Sequence, residues 1–250
     1  MALPKLEVPS YELELPISKK TIKFRPFLVK EQKILLMAME SADAKGIQDA
    51  VIDILNACVL TQDFNLYDTP IIDVEYLFLN LRAKSVSEVV DTKYRCNNEV
   101  DDGENGKKPC GNTIESKVNL TEIKPVIEKE VNPEIKLNEK ISIKMKYPIF
   151  SVIKDSSNST DISKMTMDLI ASCIEYIYDG EQFYYANETT KEELIEFVEM
   201  LNQEQFEKME DFFNNMPKLK TNVALTCKKC GFVHRSEEHT SELQSHSFIS

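Results

Sequence analysis

Two stretches decide how this chain is read: Thr226-Cys227-Lys228-Lys229-Cys230-Gly231-Phe232 near its C-terminal end, and Arg95-Cys96 with Pro109-Cys110-Gly111 near its middle. The first is a knuckle, two cysteines set close together and then a glycine that lets backbone amides turn toward sulfur. In the second, Cys96 ends the strand-like Val-Asp-Thr-Lys-Tyr-Arg, and Cys110 is followed at once by Gly111. Two such hairpins facing each other supply four thiolates to one tetrahedral zinc. The candidate ligands are therefore Cys96, Cys110, Cys227 and Cys230. Four thiolates leave no open coordination position, so such a zinc is structural rather than catalytic.

Zinc ribbons usually carry two tight pairs, whereas thirteen residues separate Cys96 from Cys110. The insertion, Asn97 to Pro109, is polar, acidic and glycine-containing, as an extruded loop would be. Loop-closure entropy grows slowly, so roughly a kilocalorie separates it from a tight pair. A partial site and free thiols are the alternatives, and His234 is a substitute ligand should Cys96 drop out. Counting a calcium loop from Asp101 puts Gly106 correctly at the sixth position. It also puts Gly103 at the third and Asn112 at the twelfth, where a carboxylate is required, so a solvated loop is the better reading.

The C-terminal end reads differently. Arg235 to Ser245, RSEEHTSELQS, matches in frame the translation of a common short-read sequencing adapter, and Ile249-Ser250 fits the bases that follow its index. Residues 235–250 are accordingly expected to be foreign to the protein, which is expected to continue past His234 with residues of its own. His239 and His246 then carry no meaning.

The formal charge is −12, or −10 without the one Arg and three Glu of that tail. Such acidity argues against a duplex DNA binder, which needs a basic face to displace counterions. With 42% hydrophobic and 29% charged residues the chain can bury a core. No apolar run approaches the roughly 20 residues that span a bilayer, and Met1 to Pro9 lacks the blocks of a signal peptide. Thiols in an unexported chain stay reduced, which favours metal over disulfides.

Periodicity supplies the rest. Tyr11 to Phe27 alternates as a hairpin with a turn at Ser18 to Lys20. Helices follow at Leu28 to Glu40, with Leu35, Leu36 and Met39 inward, and at Ala44 to Leu60. A third begins near Pro70, burying Val74, Leu77, Phe78 and Leu81. Val86 to Cys96, Thr113 to Leu120 and Lys140 to Lys146 alternate as strands, with Thr121 to Glu139 a connection. Asp155 to Asp161 is a flexible, cleavable loop. Ser163 to Tyr178 is expected to be helical, as is the segment capped by Thr190 and Gln203 to Met216. Asn222 to Thr226 is a strand entering the second knuckle.

The fold class is α+β: a helical body with an N-terminal β-hairpin and a small antiparallel, zinc-ribbon-like β element. Five segments result: 1–85, hairpin plus helices; 86–147, β-rich with the first cysteine pair; 148–221, helical; 222–234, the second knuckle; 235–250, adapter-like. Cys58 and Cys173 lie on apolar helix faces and read as core. No nucleophile with a histidine partner, no phosphate loop and no carboxylate pair in an apolar setting is present. Nothing argues for an enzyme. A nucleic-acid-binding zinc ribbon is the alternative; Lys107, Lys108, Lys228 and Lys229 make only a thin patch for it.

With those residues assembled, the chain resembles the baseplate hub subunits of T4-type contractile-tailed phages. The likeness lies in Met-Ala-Leu-Pro-Lys-Leu at the start, Lys-Phe-Arg-Pro-Phe-Leu-Val-Lys-Glu-Gln-Lys (Lys23 to Lys33), and Leu-Met-Ala-Met-Glu-Ser (Leu36 to Ser41). It continues through Asp-Val-Glu-Tyr-Leu-Phe-Leu-Asn-Leu-Arg-Ala-Lys-Ser-Val (Asp73 to Val86), Met-Lys-Tyr-Pro (Met145 to Pro148) and Asp-Leu-Ile-Ala-Ser-Cys-Ile (Asp168 to Ile174). Ile-Tyr-Asp-Gly-Glu (Ile177 to Glu181) and Met-Pro-Lys-Leu (Met216 to Leu219) complete it. The resemblance implies a structural part in the central hub of the tail baseplate, built in the infected bacterium from protein–protein contacts with other hub proteins. It implies no catalytic residue, and the apolar runs and acidity above give no expectation of membrane or nucleic acid as a partner. The long insertion between Cys96 and Cys110 departs from the family's pattern.

Overall fold

The computed structural model describes residues 6–41, 44–101, 106–127, 129–130, 132–152 and 162–239. It is a mixed structure of helices and small antiparallel sheets. Strands β1 (Tyr11–Glu14) and β2 (Thr21–Phe24) pair from Tyr11↔Phe24 to Glu14↔Thr21. Their inward residues meet helices α1 (Val29–Glu40), α2 (Ala44–Cys58) and α3 (Ile71–Ser85) in a first core that includes Leu15, Ile22, Phe24, Leu55, Cys58, Leu77 and Leu81. Pro70 caps α3, a place where its missing N–H costs nothing. Asp73, fully buried one turn into α3, accepts from the N–H groups of Ile17 (2.7 Å) and Ser18 (2.8 Å), which ties the hairpin turn to the helix.

Helix α3 is buried on a second side as well. Its Leu79 and Ala83 pack with Val90 of β3 (Val89–Arg95) and Val118 of β6 (Thr113–Asn119). Leu120 and Ile123, around a 3₁₀ turn, and Leu219 of β12 (Lys218–Thr226) complete this core. β3 pairs with β6, and between them lies a minor hairpin of β4 (Glu99–Asp101) and β5 (Lys107–Pro109). β12 pairs with β7 (Lys124–Val126) on one side and β13 (Val233–His239) on the other.

A further four-stranded sheet runs β11-β10-β9-β8, from β8 (Glu134–Lys136), β9 (Ser142–Met145), β10 (Ile174–Tyr178) and β11 (Phe183–Tyr185). Helices α4 (Ile162–Ser172), α5 (Lys191–Glu199) and α6 (Gln203–Asn214) supply its core, with Ile143, Ile174, Ile177, Val198, Met209 and Phe212 buried together. Both α5 and α6 start on reciprocal side-chain caps, Thr190 with Glu193 and Asn202 with Gln205.

Four elements depart from the periodicity reading. The helix expected over Ser163 to Tyr178 ends at Ser172, and Ile174–Tyr178 is a strand. β-branched and aromatic residues followed by the Asp179-Gly180 turn make it one arm of a hairpin. Thr121 to Glu139 holds β7 and β8 rather than a bare connection. Leu36 is exposed, because α1 turns only a narrow stripe to the core. The second-knuckle strand starts at Lys218 and not at Asn222. Asp155 to Asp161 lies outside the described residues, as do Asp102, Gly103, Glu104 and Asn105. The ladder of β13 runs five residues past His234 to His239. Its bonds are made by backbone groups that every residue but proline offers, so pairing there is blind to the origin of the side chains.

At the head of α1, Glu31 is buried and accepts from Arg25 Nη2 and from the Leu28 N–H, each at 2.8 Å. Burial raises its pKa, but Arg25 and the Leu28 amide outweigh burial and hold the carboxyl below its ordinary value of 4.5. Because the folded value is depressed, its stabilisation is complete above the unfolded value and is lost as pH falls through the folded one. Glu31→Gln should cost roughly 1–3 kcal/mol at neutral pH. It should also shrink the drop in melting temperature seen on acidifying below pH 4.5. Thermal melts across pH check both.

Candidate metal centre

The two knuckles are built alike. In the second, the Gly231 N–H reaches the Cys227 carbonyl (2.8 Å) and the Cys227 N–H reaches the Phe232 carbonyl (2.9 Å). In the first, the Gly111 N–H reaches the Cys96 carbonyl (2.9 Å) and the Cys96 N–H reaches the Asn112 carbonyl (2.8 Å). Both glycines sit at positive φ, +67° for Gly111 and +73° for Gly231, where a Cβ is disfavoured. The insertion therefore does not open the first knuckle. The Cys110 N–H bonds the Asn98 carbonyl at 2.8 Å, and β4 and β5 leave and return side by side from that point. The extrusion expected from the polar composition is present.

The structure brings together the sulfurs of Cys96, Cys110, Cys227 and Cys230, which all lie within 4.8 Å of one another. Cys96 Sγ is 3.7 Å from Cys230 Sγ, and Cys110 Sγ is 3.8 Å from Cys227 Sγ. A tetrahedron with metal–sulfur bonds of about 2.3 Å has edges of about 3.8 Å. Each of those two contacts spans the knuckles, so the cluster joins residues 134 and 117 positions apart. Ile114 and Leu225 wall it, and only Cys230 is part-exposed. Such a group can hold a metal ion.

Side chains complete the surroundings. The Asn98 side-chain amide points to Cys230 Sγ (3.7 Å) and that of Asn112 to Cys227 Sγ (3.5 Å). His234 Nε2 lies 3.1 Å from Cys96 Sγ. Cys96 has not dropped out, so His234 stands beside a sulfur rather than in place of one. The asparagines were not foreseen. Their only signal was position, within two residues of Cys96 and directly after Gly111.

The thiols ionise unequally. The Cys230 backbone amide pulls Cys227 down to about 6, helped by the Lys229 amide and Asn112. Burial and the neighbouring thiols push Cys96 up to about 12. Adjacent thiolates repel, and a cation between the sulfurs would offset that repulsion. Cys58 and Cys173 lie apart, fully buried in the first and second helical cores, where burial raises each to about 11.

The family model described as T4 bacteriophage base plate protein matches residues 8–245. Among curated proteins, and among solved structures, nothing matches.

No neighbouring atom lies within 4 Å of a Cβ built on Gly231, so Gly231→Ala tests backbone conformation alone. It should cost about 1–2 kcal/mol. Thermal denaturation would show this, with Gly111→Ala losing a similar amount.

Proposed function

This chain belongs to the T4 bacteriophage base plate protein family, and we propose that it is a structural and assembly component of the tail baseplate hub. In this reading it works through protein–protein contacts, with one structural zinc held by Cys96, Cys110, Cys227 and Cys230. The family points to a structural, non-enzymatic role in the virion tail, which implies assembly with other phage tail proteins. Among the described residues no helix is long and apolar enough to cross a membrane. The hub position and assembly in the host cytoplasm rest on the likeness of Lys23 to Lys33, Leu36 to Ser41, Asp73 to Val86, Asp168 to Ile174 and Ile177 to Glu181 to hub subunits.

The observation that carries the zinc is the sulfur geometry: two contacts of 3.7 and 3.8 Å between knuckles of the same hydrogen-bonded form. A soft, all-sulfur set favours zinc over hard cations. It would act as a clasp, because its four ligands come from two β ribbons far apart in sequence.

Metal analysis by mass spectrometry should find about one zinc per chain. Cys227→Ser/Cys230→Ser should lose it and melt at lower temperature. No metal, with an unchanged melt in the variant, would mean incidental cysteines. The hub reading is tested separately, by an amber mutation of this gene in its phage. Infected cells should then accumulate tail parts without complete baseplates, rescued by the wild-type protein in trans. Normal baseplates without the protein would end that reading.

A further inference from the structure

The outer face of the β8–β11 sheet carries an aromatic cluster that the metal centre does not use. Tyr176 and Tyr178 of β10 stand opposite Tyr185 and Phe183 of β11. Their rings form one contiguous group, with centroids 5.2 Å apart for Tyr176–Phe183, 4.6 Å for Tyr178–Phe183 and 6.0 Å for Tyr176–Tyr185. Phe183 is 50% and Tyr185 44% exposed. On the other face Ile143 and Ile177 are sealed by α4, α5 and α6, so the rings are the bare side of a sheet already anchored beneath. Exposed clusters of this kind mark contact sites, and Tyr and Phe are enriched at the centres of interfaces.

β11 is also an open edge. The Ala186 N–H bonds the Glu175 carbonyl and the Asp179 N–H bonds the Gln182 carbonyl, so in this antiparallel register Gln182, Tyr184 and Ala186 turn their backbone groups toward β10. Phe183 and Tyr185 alternate with them and turn outward. The Tyr185 carbonyl is taken by the Glu188 N–H (2.9 Å) and the Thr189 hydroxyl (3.0 Å). The Phe183 N–H and carbonyl and the Tyr185 N–H have no partner among the described residues.

We propose that β11 and this ring face dock an extended, cation-bearing segment of another tail protein, which adds as a fifth strand beside Phe183–Tyr185. Alternate residues of an added strand lie on one face, so arginines at every second position would lie along the rings, where the planar guanidinium stacks. The face already accepts a cation: Lys144 Nζ sits 5.7 Å from the centre of the Tyr176 ring. Asp179 and Glu181 in the adjoining turn and the chain's net charge, −10 without residues 235–250, favour a basic partner. They disfavour a second copy of the chain, which would bring like charge to the same edge. The proposal rests on the family reading only for the existence of a tail-protein partner. Its failure would leave both the zinc content and the amber phenotype unchanged.

The test uses the full chain and a fluorescein-labelled octapeptide alternating arginine and threonine, followed by fluorescence anisotropy. Saturable binding is expected, weakened at least tenfold by Phe183→Ser/Tyr185→Ser, with the Phe183 amide protected from hydrogen exchange by the peptide. N-methylating alternate peptide amides, which blocks strand pairing but keeps every charge, should weaken binding as much. That arm decides the matter even if the double variant does not fold. Equal binding by the N-methylated peptide, or by a glutamate–threonine peptide, would reduce the effect to adsorption and overturn the proposal. Sedimentation showing a dimer abolished by the same double variant would overturn it in favour of self-association.

Discussion

Helix α3 is apolar on two sides, and most of the N-terminal and central architecture follows from having to cover both. Val74, Leu77, Phe78 and Leu81 face the hairpin and α2, while Leu79 and Ala83 face β3, β6 and β12. A helix of this kind cannot sit at a surface, so it draws two layers onto itself. Asp73 fixes the first layer. Its carboxylate is fully buried, and two backbone N–H groups in the β1–β2 turn repay its desolvation. The second layer matters more for the cysteines. Leu219 brings the start of β12 against α3 beside Val90 and Val118, so two ribbons begin from one core and run out to the two knuckles.

At those outer ends little hydrophobic material remains. Among the described residues, the cluster around the sulfurs adds only Ile114 and Leu225 as buried apolar residues, with Tyr94 and Val100 packed partly against it. Apolar burial of that size is a few kilocalories at most, set against the entropy of ordering two hairpins. A metal would supply what the small core lacks, as it does in small domains that cannot bury enough. The arrangement of donors agrees with this. Both asparagines belong to the first knuckle and point at sulfurs of the second, while His234 beside the second knuckle meets Cys96 of the first. The first ribbon thus presents side-chain N–H groups to the second's sulfurs, and the second sets an imidazole nitrogen against a sulfur of the first, a complementarity that a disulfide pair would not require.

How far the sequence could be read depended on whether the signal was local. The hairpin at Tyr11 to Phe24, α3 behind Pro70 and the cap at Thr190 are written in neighbouring residues, and they were legible. The knuckle glycines were legible for the same reason, since a positive φ after cysteine leaves few other choices. What failed was non-local. Leu169, Ile170, Cys173, Ile174 and Ile177 fall at helical spacing across a boundary where α4 ends and β10 begins, and only pairing with Ile143 and Tyr184 makes the latter a strand. β7 and β8 are three residues each and acquire their identity from β12 and β9. Asn98 and Asn112 have no signature beyond their place beside Cys96 and Gly111 until the opposite knuckle arrives.

The two surfaces that invite function therefore differ in kind. The sulfur cluster is closed on itself: three of its cysteines are buried and its donors are spoken for, so a partner gains nothing by approaching it. The aromatic sheet face is the reverse, a rigid platform whose outer rings stay half-exposed and whose Phe183 and Tyr185 amides have no partner among the described residues. Rigidity matters here. Tyr176 and Tyr178 sit on a strand paired on both sides and underlain by packed isoleucines, so docking there would order few side chains that are not ordered already. A structural protein of this size would do well to keep its clasp inside and its recognition on a preorganised edge. That division separates the two kinds of mutation: changes at the buried cysteines fall on packed interior groups, and changes at Phe183 or Tyr185 fall on half-exposed rings.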